Sequence, residues 1–151
     1  MSYSDGFGGG FETIPARGFV VAAGQGSALP GAGGEVLASA ADTGGLFSLI
    51  RSHTPAGDVV PLHVHSGTDE CFFVLEGRYD IVCGDDSFHA EPGSFVYLPR
   101  GVPHRYTVGE SPAVKLILSV PGGIESYFTD MGSGADAEEL THRHGVTFLA
   151  G

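Results

Sequence analysis

The chain has 151 residues, room for one ordinary domain and too few for two with independent cores. Leu, Ile, Val and Phe make up about a quarter of it, above the disordered range, and glycine plus proline make up nearly another quarter, which a helical bundle accommodates poorly. Seven basic against 18 acidic residues give a net charge of −11; six arginines and one lysine, Lys115, offer no basic stripe, which excludes nucleic acid, anionic membrane surfaces and multiply anionic substrates as expected partners.

In chain order, residues 1–34 are glycine-rich and irregular with a short apolar piece at 18–23, and they read as an arm laid over the domain with room for one strand. From 35 to 120 the pattern is strand, turn, strand, with strands predicted at 46–53, 61–65, 70–75, 78–83, 87–90, 94–98, 104–108 and 113–120. Short strands at this spacing predict a sandwich or barrel. If Glu76-Gly77 is a two-residue hairpin turn, Leu75 pairs with Arg78 and Glu70 with Cys83. Glu70, Phe72 and Val74 then share a face with Tyr79, Ile81 and Cys83, while Cys71 points away and a Cys71–Cys83 disulfide is disfavoured. The tail, 121–151, changes period. Ile124, Tyr127, Phe128 and Met131 mark one face of a short helix, and a second helix is expected over 135–144, acidic at its start, basic at its end, with Gly145 as its stop. All of 1–151 reads as one domain. No stretch of about 18 apolar residues is present. The N-terminus lacks the charged and apolar regions of a secretory signal, and two cysteines make no disulfide framework; a reducing cytoplasm is the expected compartment.

The chemistry is concentrated at four residues. His63 and His65 are two apart, so a strand places both imidazoles on one face. Glu70 follows after a turn at 66–69 that is expected to fold its strand back beside the histidines. His104 opens a later strand, behind a rigid Pro99-Arg100-Gly101-Val102-Pro103 turn. Three imidazoles and one carboxylate suit a divalent first-row metal. His53 and His89 have no such spacing and read as solvent-facing, and the His142/His144 pair as a helix end. Phe72, Tyr79, Ile81 and Tyr106 are candidates either for the walls of a pocket for an apolar or aromatic molecule or for plain barrel filling.

Gly57, His63, His65, Glu70 and Gly77 stand at the anchor positions of the first cupin motif. Gly93, Pro99, Gly101 and His104 match the second, whose last position is often Asn and is Val108 in this chain. The sequence therefore resembles a small single-domain cupin. That resemblance implies an all-β double-stranded β-helix jelly roll, with one divalent transition metal (Fe, Ni, Mn, Co, Cu or Zn) held by His63, His65, Glu70 and His104. Asp69-Glu70, the Phe72–Gly77 run and Pro121-Gly122-Gly123 are similar to the quercetinase-type small cupins. The likeness implies a dioxygenase acting on an aromatic or enolic molecule, with Glu70 the catalytic proton acceptor. A metal-assisted cyclase or isomerase and a non-enzymatic binding barrel are the alternative expectations. Cupin barrels commonly pair through a sheet, so a homodimer is expected, with Cys71, Phe73 and Leu75 as outward apolar residues.

Overall fold

Alternation of inward and outward side chains along the strands builds two facing antiparallel sheets. The computed structural model describes residues 17–29 and 33–150. In chain order these form β1 (Ser27–Ala28), β2 (Gly34–Ala38), the one-turn α1 (Ala40–Thr43), β3 (Ser48–Thr54), β4 (Val59–His65), β5 (Asp69–Glu76) and β6 (Tyr79–Cys83). Then come β7 (Asp86–Ala90), β8 (Phe95–Leu98), β9 (His104–Val108), β10 (Ala113–Val120), α2 (Ile124–Gly132), α3 (Ala137–His144) and β11 (Val146–Phe148). One sheet runs β1-β2-β3-β10-β5-β8 and the other β11-β4-β9-β6-β7. This is the all-β jelly-roll architecture that the sequence predicts.

The core lies between the sheets. Ile50, Phe72, Val74 and Ile117 face inward from one, and Tyr79, Ile81, Cys83 and Val108 from the other. Each such side chain removed from water stabilises the fold by about 1.5–3 kcal/mol. Val108, at the position where the family often has Asn, fills this core at 4% exposure.

The hairpin expected at Glu76-Gly77 does not form. β5 pairs with β10 and β8, and β6 with β7 and β9, so Leu75 is not opposite Arg78, nor Glu70 opposite Cys83; Cys83 pairs with His104. The chain instead crosses between sheets at this point. Gly77 makes the crossing possible: its φ is +75°, and a Cβ there would lie 2.7 Å from both the Pro112 carbonyl oxygen and the Ala113 Cβ. The shared face survives this correction because both strands still turn their even or odd set into one core. Cys71 lies on the opposite face from the buried Cys83, and both are free thiols.

The arm expected over 1–34 lies outside the described residues for 1–16. Residues 18–23 form no strand; the arm's ordered pairing is that of Ser27 and Ala28 with Val36 and Glu35. In the tail, α2 buries Ile124 and Tyr127, and α3 buries Leu140. α3 starts at Ala137, two residues later than predicted, because Asp136 is its N-cap and forms a reciprocal capping box with Glu139. It stops where expected, with Gly145 left-handed at φ +68°. The His144 Nε2 lies 2.6 Å from Asp130 Oδ2, which clasps α3 to α2. β11 is an addition to the sequence reading: three residues are too few for a period, yet they extend the sheet beside β4.

Candidate metal centre

The strands bring His63, His65, Glu70 and His104 together. All four are buried, and one potential ligand atom from each lies within 4.8 Å of the others. Their origins differ from the sequence expectation in one respect. β4 and β9 supply the three histidines from the five-stranded sheet, with His63 directly opposite His104. Glu70 comes from β5 in the other sheet, so it faces the imidazoles across the barrel rather than lying beside them.

Local chemistry fixes each donor. The β4–β9 register slips between Val60 and His63, where Pro61 interrupts the ladder. His63 Nδ1 lies 2.8 Å from the Pro61 carbonyl oxygen. A carbonyl only accepts, so Nδ1 carries the hydrogen and Nε2 presents its lone pair to the cluster. The 99–103 turn is stapled to both sheets. Gly101 N donates to the His65 carbonyl at 2.8 Å, and the Arg100 backbone N donates to Asp69 Oδ1 at 2.8 Å. Arg100 Nε and Nη2 also donate to the Asp69 carboxylate, and Nη2 to the Val120 carbonyl. One turn thereby sets His104, His65 and Glu70 in register.

Burial disfavours charge on His63 and His65; it is the main cause of the fall of His63 to about 4, with His104 adding to it, and it also lowers His65. Burial pushes the Glu70 carboxyl up, but the surrounding imidazoles, His104 foremost, outweigh it and hold the group at about 2. At neutral pH the Glu70 carboxylate therefore faces the uncharged rings of His63 and His65, the protonation states that ligate metal. Glu70 Oε2 lies 3.1 Å from His104 Nε2 and 3.6 Å from His65 Nε2. His65 Nε2 and both His104 nitrogens are buried without a hydrogen-bond partner. Orphaned ring nitrogens converging on a carboxylate oxygen fit a divalent cation, whose bonds would satisfy them.

His63, His65 and Glu70 open onto a cavity of about 480 Å³, whose walls include Ile50, Thr54, Asp58, Tyr106, Tyr127, Phe128, Met131 and Phe148. Tyr106 is the one expected wall residue that lines it. Phe72, Tyr79 and Ile81 are buried to 2% exposure or less and fill the barrel instead. The tail supplies what the sequence reading missed: Tyr127 and Phe128 from α2 and Phe148 from β11 line the cavity. Tyr127 packs edge-on to His65 with centroids 5.8 Å apart. The helical period had marked Tyr127 and Phe128 as one face of a helix, which was the available signal. His53 and His89 are exposed as expected, with His53 at the cavity rim.

Residues 51–120 match the cupin domain family. Over 104 residues the chain is 27% identical to quercetin 2,3-dioxygenase of Bacillus subtilis, a match covering 69% of this chain and 31% of that protein. Over 75 residues it is 31% identical to the uncharacterized protein MJ1618 of Methanocaldococcus jannaschii, covering 49% of this chain and 60% of that one. The chain thus spans less than two thirds of either relative. Among solved structures, KdgF from Halomonas sp. superposes with a TM-score of 0.56 at 18% identity, over 64% of this chain and 86% of that one. An uncharacterized protein with a double-stranded β-helix domain from Klebsiella pneumoniae superposes with a TM-score of 0.51, also at 18% identity, over 60% of this chain and 76% of that one. With the two motifs, the jelly roll and the three-histidine, one-glutamate cluster in place, residues 51–120 are matched as a cupin domain, and the chain resembles the small cupins of the quercetin dioxygenase type.

Proposed function

We propose that this cupin is a metal-dependent dioxygenase acting on an aromatic or enolic small molecule. The observation that carries the reading is the buried cluster of His63, His65, Glu70 and His104 opening onto a cavity walled by aromatic and aliphatic side chains. These four residues would hold one divalent transition metal, which supplies Lewis acidity and oxygen chemistry when bound. The protein's own part is to bind, orient and move a proton. Ile50, Phe128, Met131 and Phe148 exclude water and take the apolar body of the substrate. Glu70, ionised and facing the cavity, accepts the proton of an enolic or phenolic hydroxyl, and the imidazoles around the carboxylate keep it in its accepting form. The 27% identity to a quercetin dioxygenase supports the substrate class.

Dioxygen consumption with a flavonol, on protein whose metal content is measured, tests the reading. Stoichiometric uptake is the expected result. Turnover without uptake would replace it with a metal-assisted cyclase or isomerase, and tight binding without turnover with a binding barrel. Two further readings accompany it. Phe73, Phe95 and Tyr97, 44–66% exposed and paired on the outer face of the six-stranded sheet, support a homodimer, with light scattering as the test. The free thiols of Cys71 and Cys83 support a reducing, cytoplasmic compartment.

A further inference from the structure

Lys115 is the single lysine of the chain, and it is inside the barrel with no solvent exposure. β10 turns it inward beside Ala113 and Ile117. Its Nζ lies over three rings, 4.4 Å from the centroids of Tyr79 and Tyr106 and 4.9 Å from that of Phe72. Among the described residues its polar partners are two hydroxyls and no carboxylate: Tyr106 at 3.3 Å and Thr54 at 3.4 Å. An amine buried without an anion is expensive, and a methionine of the same length would fill the space without that cost. Packing therefore does not account for it.

Its two partners do. Thr54 and Tyr106 both line the cavity, whereas Lys115 lies one layer behind them. The Thr54 hydroxyl is also engaged with the Tyr79 hydroxyl at 2.9 Å. At Tyr106 the amine donates to the phenol oxygen, so the phenol's own hydrogen points elsewhere, and no acceptor for it occurs among the described residues. A hydroxyl whose oxygen already accepts a hydrogen bond is a stronger donor through its own hydrogen. We propose that Tyr106, held and polarised from behind by Lys115, donates a hydrogen bond to an acceptor oxygen of the ligand, making Tyr106 a specificity-determining residue and Lys115 its positioning residue. The ligands of this cavity are then aromatic molecules that carry a carbonyl or ether-type oxygen in addition to the atoms facing the histidine–glutamate cluster. This takes from the proposed function only that the cavity is the ligand site.

The test compares two probes of one carbon skeleton, acetophenone and ethylbenzene, titrated into the purified metal-containing protein. The readout is the ratio of their affinities. Tyr106→Phe and Lys115→Met are each expected to lower the acetophenone-to-ethylbenzene ratio about 5- to 10-fold, the net worth of one hydrogen bond. The double variant is expected to lower it no further than Tyr106→Phe alone, because Lys115 acts only through the bond that Tyr106 makes. A purely structural Lys115 would weaken both probes together and leave the ratio unchanged. An unchanged ratio in either variant, multiplying losses in the double variant, or a wild-type protein that takes up neither probe would each overturn the proposal. Tyr106→Phe, which removes one oxygen and no packing, decides the matter should Lys115→Met fail to fold. Absence of flavonol-dependent oxygen uptake alongside the expected ratios would sink the dioxygenase reading and leave this one standing.

Discussion

The proposed function gives Glu70 two duties, ligand and proton acceptor, that substitution can separate. Glu70→Gln keeps three imidazoles and a weaker amide oxygen, so metal content is expected to fall only in part. An amide accepts no proton at neutral pH, so turnover is expected to fall about 10²–10⁴-fold. His104→Ala removes a ligand and no proton acceptor, and metal content and activity are expected to fall together. Metal analysis and turnover on the same samples check both. At Lys115, burial pulls the amine from its ordinary range down to about 7. The folded state therefore binds fewer protons than the unfolded one between about pH 7 and the ordinary lysine range, and stability is expected to rise with pH across that window. Denaturant titrations of wild type and Lys115→Met should show the rise only in the former. The four-residue cluster was legible because its spacing is periodic and its chemistry specific. Lys115 was not, since one basic residue in an apolar strand carries no pattern, and its aromatic surroundings come from β5, β6 and β9.

The elements that set the site are turns as much as strands. Gly77→Ala places a Cβ against backbone at a left-handed φ, and a loss of about 1–3 kcal/mol is expected in equilibrium unfolding. At the 99–103 turn, Arg100→Ala removes the side-chain bonds to Asp69 and Val120. The pair is solvent-screened, so the stability loss is expected to be small, with weaker metal retention as the larger effect. Arg100 also holds the Asp69 carboxyl below its ordinary value. The staple thus contributes fully above the ordinary carboxylate range and is lost as pH falls through the lowered value. Strand positions and inward faces were readable from alternation and from Gly and Pro punctuation, and six of the eight strands matched to within one residue at each end. Strand partners were not. A two-residue Glu-Gly connection looks the same whether it closes a hairpin or crosses between sheets, and only the packing of Pro112 and Ala113 against Gly77 decides. β11 and its place beside β4 depend on a contact between Gly145 and Ser66, 79 positions apart in the chain.

For the molecule as a whole, a cation bound in the native state alone adds to stability by mass action, about 2.7 kcal/mol at a free concentration one hundred times its Kd. Removal by chelator is accordingly expected to lower the thermal midpoint, and re-addition to restore it. The layout of the ligands implies more than this equilibrium gain. Three donors belong to the five-stranded sheet and one to the six-stranded sheet, so an ion held by all four is a rivet through both layers of the sandwich. Prying the layers apart requires breaking coordinate bonds before the core can admit water. The rivet then acts chiefly as a brake on unfolding rate, and hydrogen exchange in β4, β9 and β5 should slow in concert when metal is bound, although β5 lies in a different sheet from β4 and β9.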